Sequence, residues 1–332
     1  MLQSPRFALT LVSASAAPNP PLVTVVTPSL NQGRYLRQAV DSVLAQDYES
    51  IEYLVADGGS TDESLEILRS YGGRLRWVSE PDGGQADAVN KGWGAARGEV
   101  LGWLNSDDTY EPGAVRRAVE VLAAHPGIDI VHGDWLEMDE QARLLRGLRS
   151  WNVRLDELLL FEAWVGQPTV FLRRRVVERI GYLDDRLHLA MDFDYWLRAM
   201  RCCVLLHVPE VWARVRIHPL AKTKVRSRET LGDHLDVLRR VFSDGTLPAA
   251  LRQLERRSIS RAFLAAAVAS YDAGQSREAR GRLISALRQQ PFGIEAAKAL
   301  ALLLAGLLGP AAPAALHRLV ANLRPAPRWR SW

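Results

Sequence analysis

The residues from Val100 to Asp108 carry an apolar run into acid: Val100-Leu101-Gly102-Trp103-Leu104-Asn105-Ser106-Asp107-Asp108. Two adjacent carboxylates at the end of a buried strand repel each other. A cation seated between them and an anionic group such as a diphosphate relieves that repulsion. A second acidic feature, Asp192 with Asp194 two residues on, opens the amphipathic stretch Asp192 to Met200. With Phe193, Trp196 and Leu197 packed inward, a carboxylate at the helix start faces a cleft and is suited to taking a proton. His218 follows a strand-like segment with Lys222 close behind, a pairing that suits contact with a metal ion or a diphosphate. Asp57 leads two glycines and Ser60-Thr61-Asp62, where it serves either a ligand or the turn itself; Asp62 reads as a cap or first-turn acid.

The elements that must position these groups alternate in type. Leu22 to Thr27 is a continuous run rich in β-branched residues, and Pro28 to Gly33 is turn-forming, so a buried strand meeting a loop is expected. Tyr35 to Gln46 sets Leu36, Ala39, Val40, Val43 and Leu44 on one helical face. Further strands are expected at Ile51 to Ala56, Leu75 to Val78, Val100 to Leu104 and Ile128 to His132. Between them lie a helix capped by Ser60 or Thr61, a small-residue helix over Gly84 to Arg97, and a helix with Pro112 near its first turn. This alternation implies a doubly wound sheet, and such sheets bind ligands at the carboxyl ends of their strands. Neither Gly-x-Gly-x-x-Gly after the first strand nor a Walker-type lysine loop is present.

After Trp151 the pattern is mixed. Gln167 to Phe171 reads as a strand, Arg173-Arg174-Arg175 opens a helix, and Val204 to Val208 and Val211 to Ile217 read as two strand-like pieces. From Arg228 onward only helices are expected, rich in Ala and Leu. The expected organisation is a flexible leader over 1–21, a catalytic α/β domain over 22–227 and a helical region over 228–332. Phe263, Tyr271, Gly274, Ala279, Ala286 and Pro291 recur at intervals like one tetratricopeptide unit near 260–293, with a generic helical hairpin as the alternative. One such unit cannot bury its own apolar face and must pack on something else. Ala299 to Leu316 is uncharged but interrupted by Gly306, Gly309, Pro310 and Pro313. Two short packed or interfacial helices therefore fit it better than a membrane span.

The 332 residues carry a net charge of +4, unevenly spread: no acid follows Glu295, whereas Lys298, Arg318, Arg324, Arg328 and Arg330 do, with Trp329 and Trp332 among them. That tail fits peripheral contact with an anionic membrane surface, or a solvated end. No basic groove or nucleic-acid motif accompanies it, so nucleic acid is not an expected partner. The two cysteines, Cys202 and Cys203, are adjacent, which excludes a disulfide framework and fits a reducing compartment. At the start, Phe7 to Val12 is too short an apolar run for a secretion signal, and a leader ending at Pro18-Asn19-Pro20-Pro21 is expected instead.

Six segments in order resemble the inverting family 2 glycosyltransferases of the GT-A fold, of the bacterial cell-surface polysaccharide type. Val25-Val26-Thr27-Pro28-Ser29-Leu30-Asn31 resembles the opening strand and loop, and Ala56-Asp57-Gly58-Gly59-Ser60-Thr61-Asp62 the second-strand signature. Asn90-Lys91-Gly92 is similar to the helix before the metal motif, and Asn105-Ser106-Asp107-Asp108 to the Asp-x-Asp-type metal site. Met191 to Arg198 resembles the Glu-Asp-x-x-x-x-x-Arg catalytic helix, and Arg216-Ile217-His218 with Lys222-Thr223 the closing segment. The resemblance covers about residues 22 to 225 and departs at Ala56, Val89 and Met191, where the family commonly has an acid, an Arg and a Glu.

The resemblance implies a GT-A (nucleotide-diphospho-sugar transferase) doubly wound mixed sheet with a C-terminal all-α appendage. It implies Asp192 as general base, with Asp194 as its rival. It implies Asp108 as ligand of Mg²⁺ or Mn²⁺, with His218 as a second ligand or a diphosphate contact. Pro28, Asp57, Asn90 and Asp107 are the implied donor-binding residues, Asp57 on the nucleobase and Asp107 on the ribose. The expected activity is inverting, hexosyl-type transfer from a nucleotide-diphosphate sugar to a glycan or lipid-linked acceptor, in the cytoplasm or at the inner face of the membrane. The alternative is a non-catalytic nucleotide- or glycan-binding scaffold acting through the helical region, which has no need of both a metal carboxylate and a base. A sugar-phosphate nucleotidyltransferase would want a Gly- and Arg-rich loop where Ser29-Leu30-Asn31-Gln32-Gly33 stands.

Overall fold

The computed structural model describes residues 20–219, 221 and 227–307; the leader through Asn19, Lys222 and the basic tail lie outside the described residues. The strands are β1 (Val23–Ser29), β2 (Ile51–Asp57), β3 (Arg76–Ser79), β4 (Val100–Trp103), β5 (Thr109–Tyr110), β6 (Ile130–Met138), β7 (Leu144–Leu148), β8 (Phe171–Arg173) and β9 (Leu205–Arg216). They form a nine-stranded sheet of order β3-β2-β1-β4-β8-β6-β9-β5, with β7 pairing on β6. β3, β2, β1 and β4 run parallel, as the alternation of elements requires. β8 then enters antiparallel to both β4 and β6, which makes the sheet mixed.

Two apolar layers cover the sheet. On one face α1 (Gly33–Leu44), α2 (Ser64–Ser70) and α4 (Ala114–Ala124) bury Leu36, Val40, Ile67, Val115 and Leu122 against Val23 and Val25. On the other, α3 (Gln85–Ala95), α5 (Leu155–Leu159), α6 (Arg174–Ile180) and α7 (Met191–Ala199) bury Val89, Trp93, Leu158, Val176 and Phe193 with Val26 and Leu101. The two-residue period of β1 sends its side chains to both layers, which is why its sequence is apolar throughout. α3 lies close to the sheet: a Cβ at Gly92 would meet Val26 Cγ1 at 2.3 Å, so a small residue is required there.

The helical region comprises α8 (Ser227–Ser243), α9 (Ala249–Arg252), α10 (Glu255–Asp272), α11 (Ser276–Gln289) and α12 (Ile294–Leu307). α10 and α11 form the expected hairpin, turning at Gly274 with φ 73°, and α12 closes a small core of Tyr271, Ala279, Leu283, Ala299 and Leu302. α8 belongs elsewhere. Its Leu235, Val237, Leu238, Val241 and Phe242 join the core that contains α3 and α7. Each such burial contributes about 1.5–3 kcal/mol, so the change of composition near 227 does not mark a break in packing.

Several local expectations are corrected. Gln167–Thr169 is a 3-10 turn rather than a strand, because Pro168 has no N–H for a ladder and Thr169 Oγ1 turns back to Gly166 O at 2.7 Å. The two pieces expected at 204–208 and 211–217 are one strand, β9. Pro209 is absorbed at the register shift opposite His132 and Asp134. Neither Ser60 nor Thr61 caps α2; the Asp62 carboxylate instead accepts from the N–H of Ser64, the first residue of α2, at 3.0 Å and from Gly33 of α1 at 2.9 Å. α12 starts at Ile294 and runs through Gly306, which is small because Tyr271 Oη would lie 2.3 Å from a Cβ there. Among the described residues no helix is long and apolar enough to cross a membrane.

Candidate active site

A cleft of about 330 Å³ opens at the carboxyl ends of β1 and β4. Pro28 and Ser29 from β1, the Asn105–Asp108 turn, Asp192 at the start of α7, and Arg216 and His218 at the end of β9 all line it. Residues from these four separated stretches of chain thus meet where a parallel sheet exposes its strand ends.

The acidic turn is held from both sides. Asp108 is 3% exposed, and its carboxylate accepts from the Arg216 N–H at 3.0 Å and from Asn105 Nδ2 at 3.1 Å. Burial and the neighbouring Asp107 push its carboxyl well above the ordinary carboxylate range. Asp107 is the more open of the pair, and its Oδ2 accepts from His218 Nε2 at 3.0 Å. The Arg216 guanidinium donates to the carbonyls of Asp107, Asp139 and Glu140 and lies over the Tyr35 ring, so it clamps the turn at the cleft wall. Asn105 is a hub: its Oδ1 accepts from Gln85 Nε2 and Trp103 Nε1, and its Nδ2 donates to Gln167 Oε1 as well as to Asp108.

These residues fit a divalent cation of the Mg²⁺ or Mn²⁺ kind. A carboxyl whose ionisation is suppressed by burial and by its neighbour gains from a positive charge, and both groups offer oxygen. Among the described residues no group of three or more His, Cys, Asp or Glu is arranged to hold an ion. The fit is therefore to an ion that keeps water and takes further oxygens from a bound diphosphate, not to a protein-enclosed cage. His218 donates Nε2–H to Asp107, so ligation through that nitrogen requires the bond to break.

Asp192 and Asp194 separate clearly. Asp194 is buried and consumed by ion pairs with Arg198 at 2.8 Å and Arg240 at 3.3 Å. Asp192 lines the cleft, accepts from the Phe193 N–H at 2.8 Å, and its carboxyl is pushed up by burial. His234 of α8 sits close enough for the two charges to interact; its Nδ1 donates to Thr230 O at 2.6 Å, and burial pushes its imidazole down. α8 also holds the approach to Asp192. Asp233 accepts from the N–H groups of His188 and Leu189, both in the cleft wall, and Arg240 pairs with Asp184.

Two expected donor residues are placed outside the cleft wall. Asp57 is 1% exposed, and its carboxylate accepts from the N–H groups of Gly59 and Ser60 and the hydroxyls of Ser60 and Ser79, tying β2 to β3. Asn90 clasps the backbone of Leu183, donating to its carbonyl at 2.9 Å and accepting from its N–H at 3.0 Å. Sequence reading passed over Gln85 and Gln167 as site residues, along with Ser29 as a separate contact. Ser29 Oγ is buried behind the cleft wall with no hydrogen-bond partner among the described residues.

The model of the family described as Glycosyl transferase family 2 matches residues 24–181. An uncharacterized glycosyltransferase of Mycobacterium tuberculosis is 34% identical over 186 residues, 55% of this chain and 70% of that protein. One from Rickettsia prowazekii is 30% identical over 210 residues, 61% of this chain and 66% of that protein. A relative from Rickettsia felis is matched over only 34% of its length. Among solved structures, S. aureus TarS 1-349 in complex with UDP-GlcNAc aligns with a TM-score of 0.62 at 15% identity, covering 81% of each chain. The mannosyltransferase PcManGT from Pyrobaculum calidifontis, in complex with GDP-Man and Mn²⁺, aligns at 0.58 and 21% identity over 93% of this chain and 89% of that one. At these identities the structural likeness establishes the fold, the GT-A arrangement with a helical C-terminal region.

Proposed function

Because the chain belongs to glycosyl transferase family 2, we propose that it transfers a hexosyl unit, with inversion, from a nucleotide-diphosphate sugar to a glycan or lipid-linked acceptor in cell-surface polysaccharide synthesis. The observation that carries this reading is that Asp107, Asp108 and Asp192 line one cleft while Asp194 is spent in ion pairs. The complexes of TarS with UDP-GlcNAc and of PcManGT with GDP-Man and Mn²⁺ support a nucleotide-sugar donor and a divalent ion.

In this mechanism Asp192 accepts the proton of the acceptor hydroxyl as its oxygen attacks the anomeric carbon. The new carbon–oxygen bond forms as the bond to the diphosphate breaks, and the electron pair leaves with the nucleoside diphosphate. One displacement inverts the anomeric configuration. The raised carboxyl of Asp192 makes it a stronger base than an exposed Asp. Asp107, oriented by His218, bonds the ribose hydroxyls, and Asp108 would hold Mg²⁺ or Mn²⁺, which supplies neutralisation of the leaving diphosphate. Pro28 borders the donor pocket, with Ser29 beside it in the wall. Asp57 and Asn90 shape the donor side through β3 and the Leu183 loop. The basic, Trp-bearing tail would hold the enzyme peripherally at the cytoplasmic face of the membrane.

The test is a thermal-shift panel of UDP, GDP, dTDP and CDP, each with and without Mn²⁺, on the wild type and Asp108→Ala. Metal-dependent stabilisation by one nucleotide, about 2.7 kcal/mol at a hundredfold excess over Kd and absent in the variant, is the expected result. No stabilisation of the wild type under any condition would transfer the lead to a non-catalytic scaffold.

A further inference from the structure

Cys202 and Cys203 take no part in the cleft; they stand at the opposite end of the helix that carries Asp192 in its first turn. Their N–H groups both donate to the Ala199 carbonyl, at 3.1 and 2.7 Å, and so close the last turn of α7. Arg179 of α6 donates to the Cys202 carbonyl at 2.8 Å, and the same nitrogen lies 3.8 Å from Cys203 Sγ. Just beyond, the Val204 N–H donates to Asp129, which also pairs with Arg175 and Arg179. The backbone of the pair is therefore held on both sides, while the side chains are open: Cys202 is exposed and Cys203 half-buried. The two Sγ atoms lie 3.9 Å apart.

That separation decides what the pair can take. A disulfide needs sulfurs about 2.0 Å apart and is usually found where the Cα atoms are about 4.4–6.8 Å apart. Adjacent residues hold theirs at about 3.8 Å, so a direct bond would strain the capping turn. A soft atom inserted between the sulfurs avoids this, since two sulfurs bound at about 2.3 Å to one tetrahedral centre stand about 3.8 Å apart. A soft metal ion would want further protein ligands, and among the described residues no group of three or more His, Cys, Asp or Glu is arranged to hold one. Trivalent arsenic that carries one carbon substituent is complete with two sulfurs. Protonation fits as well. Burial and then the neighbouring Cys202 push the Cys203 thiol above its ordinary range, so it keeps its proton at neutral pH and is a poor nucleophile toward peroxides. Condensation with an arsenoxide uses protonated thiols. Two As–S bonds form, the As=O bond breaks, and both thiol protons leave with that oxygen as water, with no change of oxidation state.

We propose that Cys202 and Cys203 are a vicinal dithiol modification site at the end of α7, one that captures a trivalent arsenical of the type R–As=O as a cyclic dithioarsenite. The site stands on these residues alone, whatever donor and acceptor the cleft takes.

The experiment treats the reduced full chain with phenylarsine oxide and reads the intact mass, wild type against Cys202→Ser and Cys203→Ser. The wild type should gain one phenylarsine oxide less one water, lose both maleimide-reactive thiols, and recover them with dimercaprol. Mercaptoethanol should strip the arsenical from either variant at a concentration about 10²–10⁴-fold lower than from the wild type, because only the pair makes the second As–S bond intramolecular. Cys202→Ser changes an exposed side chain, so loss of capture there is not loss of the fold. Two arsenicals per chain, an adduct on Cys202→Ser as resistant to mercaptoethanol as that on the wild type, or no adduct on the wild type overturns the dithiol site.

Discussion

A carboxyl group held back from ionising makes a better proton acceptor once it has ionised, and Asp192 is such a group. Its folded value lies above its ordinary 3.8 because burial disfavours the charge. Catalysis requires the ionised form, so the transfer rate should rise with pH through this raised value, placing the acidic limb of the profile above an ordinary carboxylate's. Asp192→Asn should lower the rate about 10²–10⁴-fold while nucleotide-induced stabilisation persists, measured by product formation and thermal shift. Stability runs the opposite way. A carboxyl whose folded value is raised binds its proton more tightly folded than unfolded, so its contribution is lost as pH rises from 3.8 through the folded value. Asp192→Asn should therefore be at least as stable as the wild type at neutral pH. At this scale the placement of Asp107, Asp108, Asp192 and His218 in one cleft was legible, because acids and a His at strand and helix ends have few places to go but the sheet edge. Asp57 and Asn90 were less so. Their side chains are claimed by Ser79 and Leu183, 22 and 93 residues away, and no local pattern announces such partners.

Elements explain what the motifs containing those residues are for. In Asn90-Lys91-Gly92 the Asn clasps Leu183, the Lys pairs with Glu80 and Asp87, and the Gly lets α3 approach β1. The motif fixes the loop that leads into α7 and so the direction of Asp192. Asn90→Ala would leave the N–H and carbonyl of Leu183 without these partners. The expected cost is about 1–3 kcal/mol, read as a lower Tm, with slower transfer and little change in nucleotide affinity. Arg198 reinforces the same loop through the carbonyls of Ile180 and Tyr182, which gives the last residue of the catalytic-helix motif a structural task. The order of strands and helices through β4 could be read from periodicity alone. The 3-10 turn at Gln167 and the continuity of β9 past Pro209 could not, since both depend on which strand lies alongside.

At the scale of the molecule, the helical region divides into a part that belongs to the catalytic body and a part that stands off it. α12 turns outward an apolar face with Ile294, Leu300 and Leu304 all more than half exposed, and Phe292 precedes it at 83% exposure. The basic tail follows this face in the sequence. The full chain should sediment with phosphatidylglycerol vesicles and not with phosphatidylcholine vesicles, and release as salt is raised. Replacing Arg324, Arg328 and Arg330 by Glu should weaken binding more than tenfold, at about 1 kcal/mol for each basic residue near the surface. Vesicle binding indifferent to both salt and these substitutions would refute the membrane contact. The helices were legible here as helices, but which of them pack on the catalytic body was not, because an Ala- and Leu-rich face suits many neighbours.

α8 has a bearing on how such enzymes diversify. It stitches Asp233 to the 188–189 backbone and Arg240 to Asp184 and Asp194, while Asp244 just beyond it pairs with Arg201. Hybrids that exchange C-terminal regions between relatives would fail if spliced at 227, since the recipient would lose the braces behind its own cleft wall. The catalytic body continues through α10, whose Ala262 lies in the same core and whose Arg257, Ser258 and Arg261 hold the 159–162 turn. Only a crossover beyond α10 trades the outer helices, and whatever they address, without cutting these contacts.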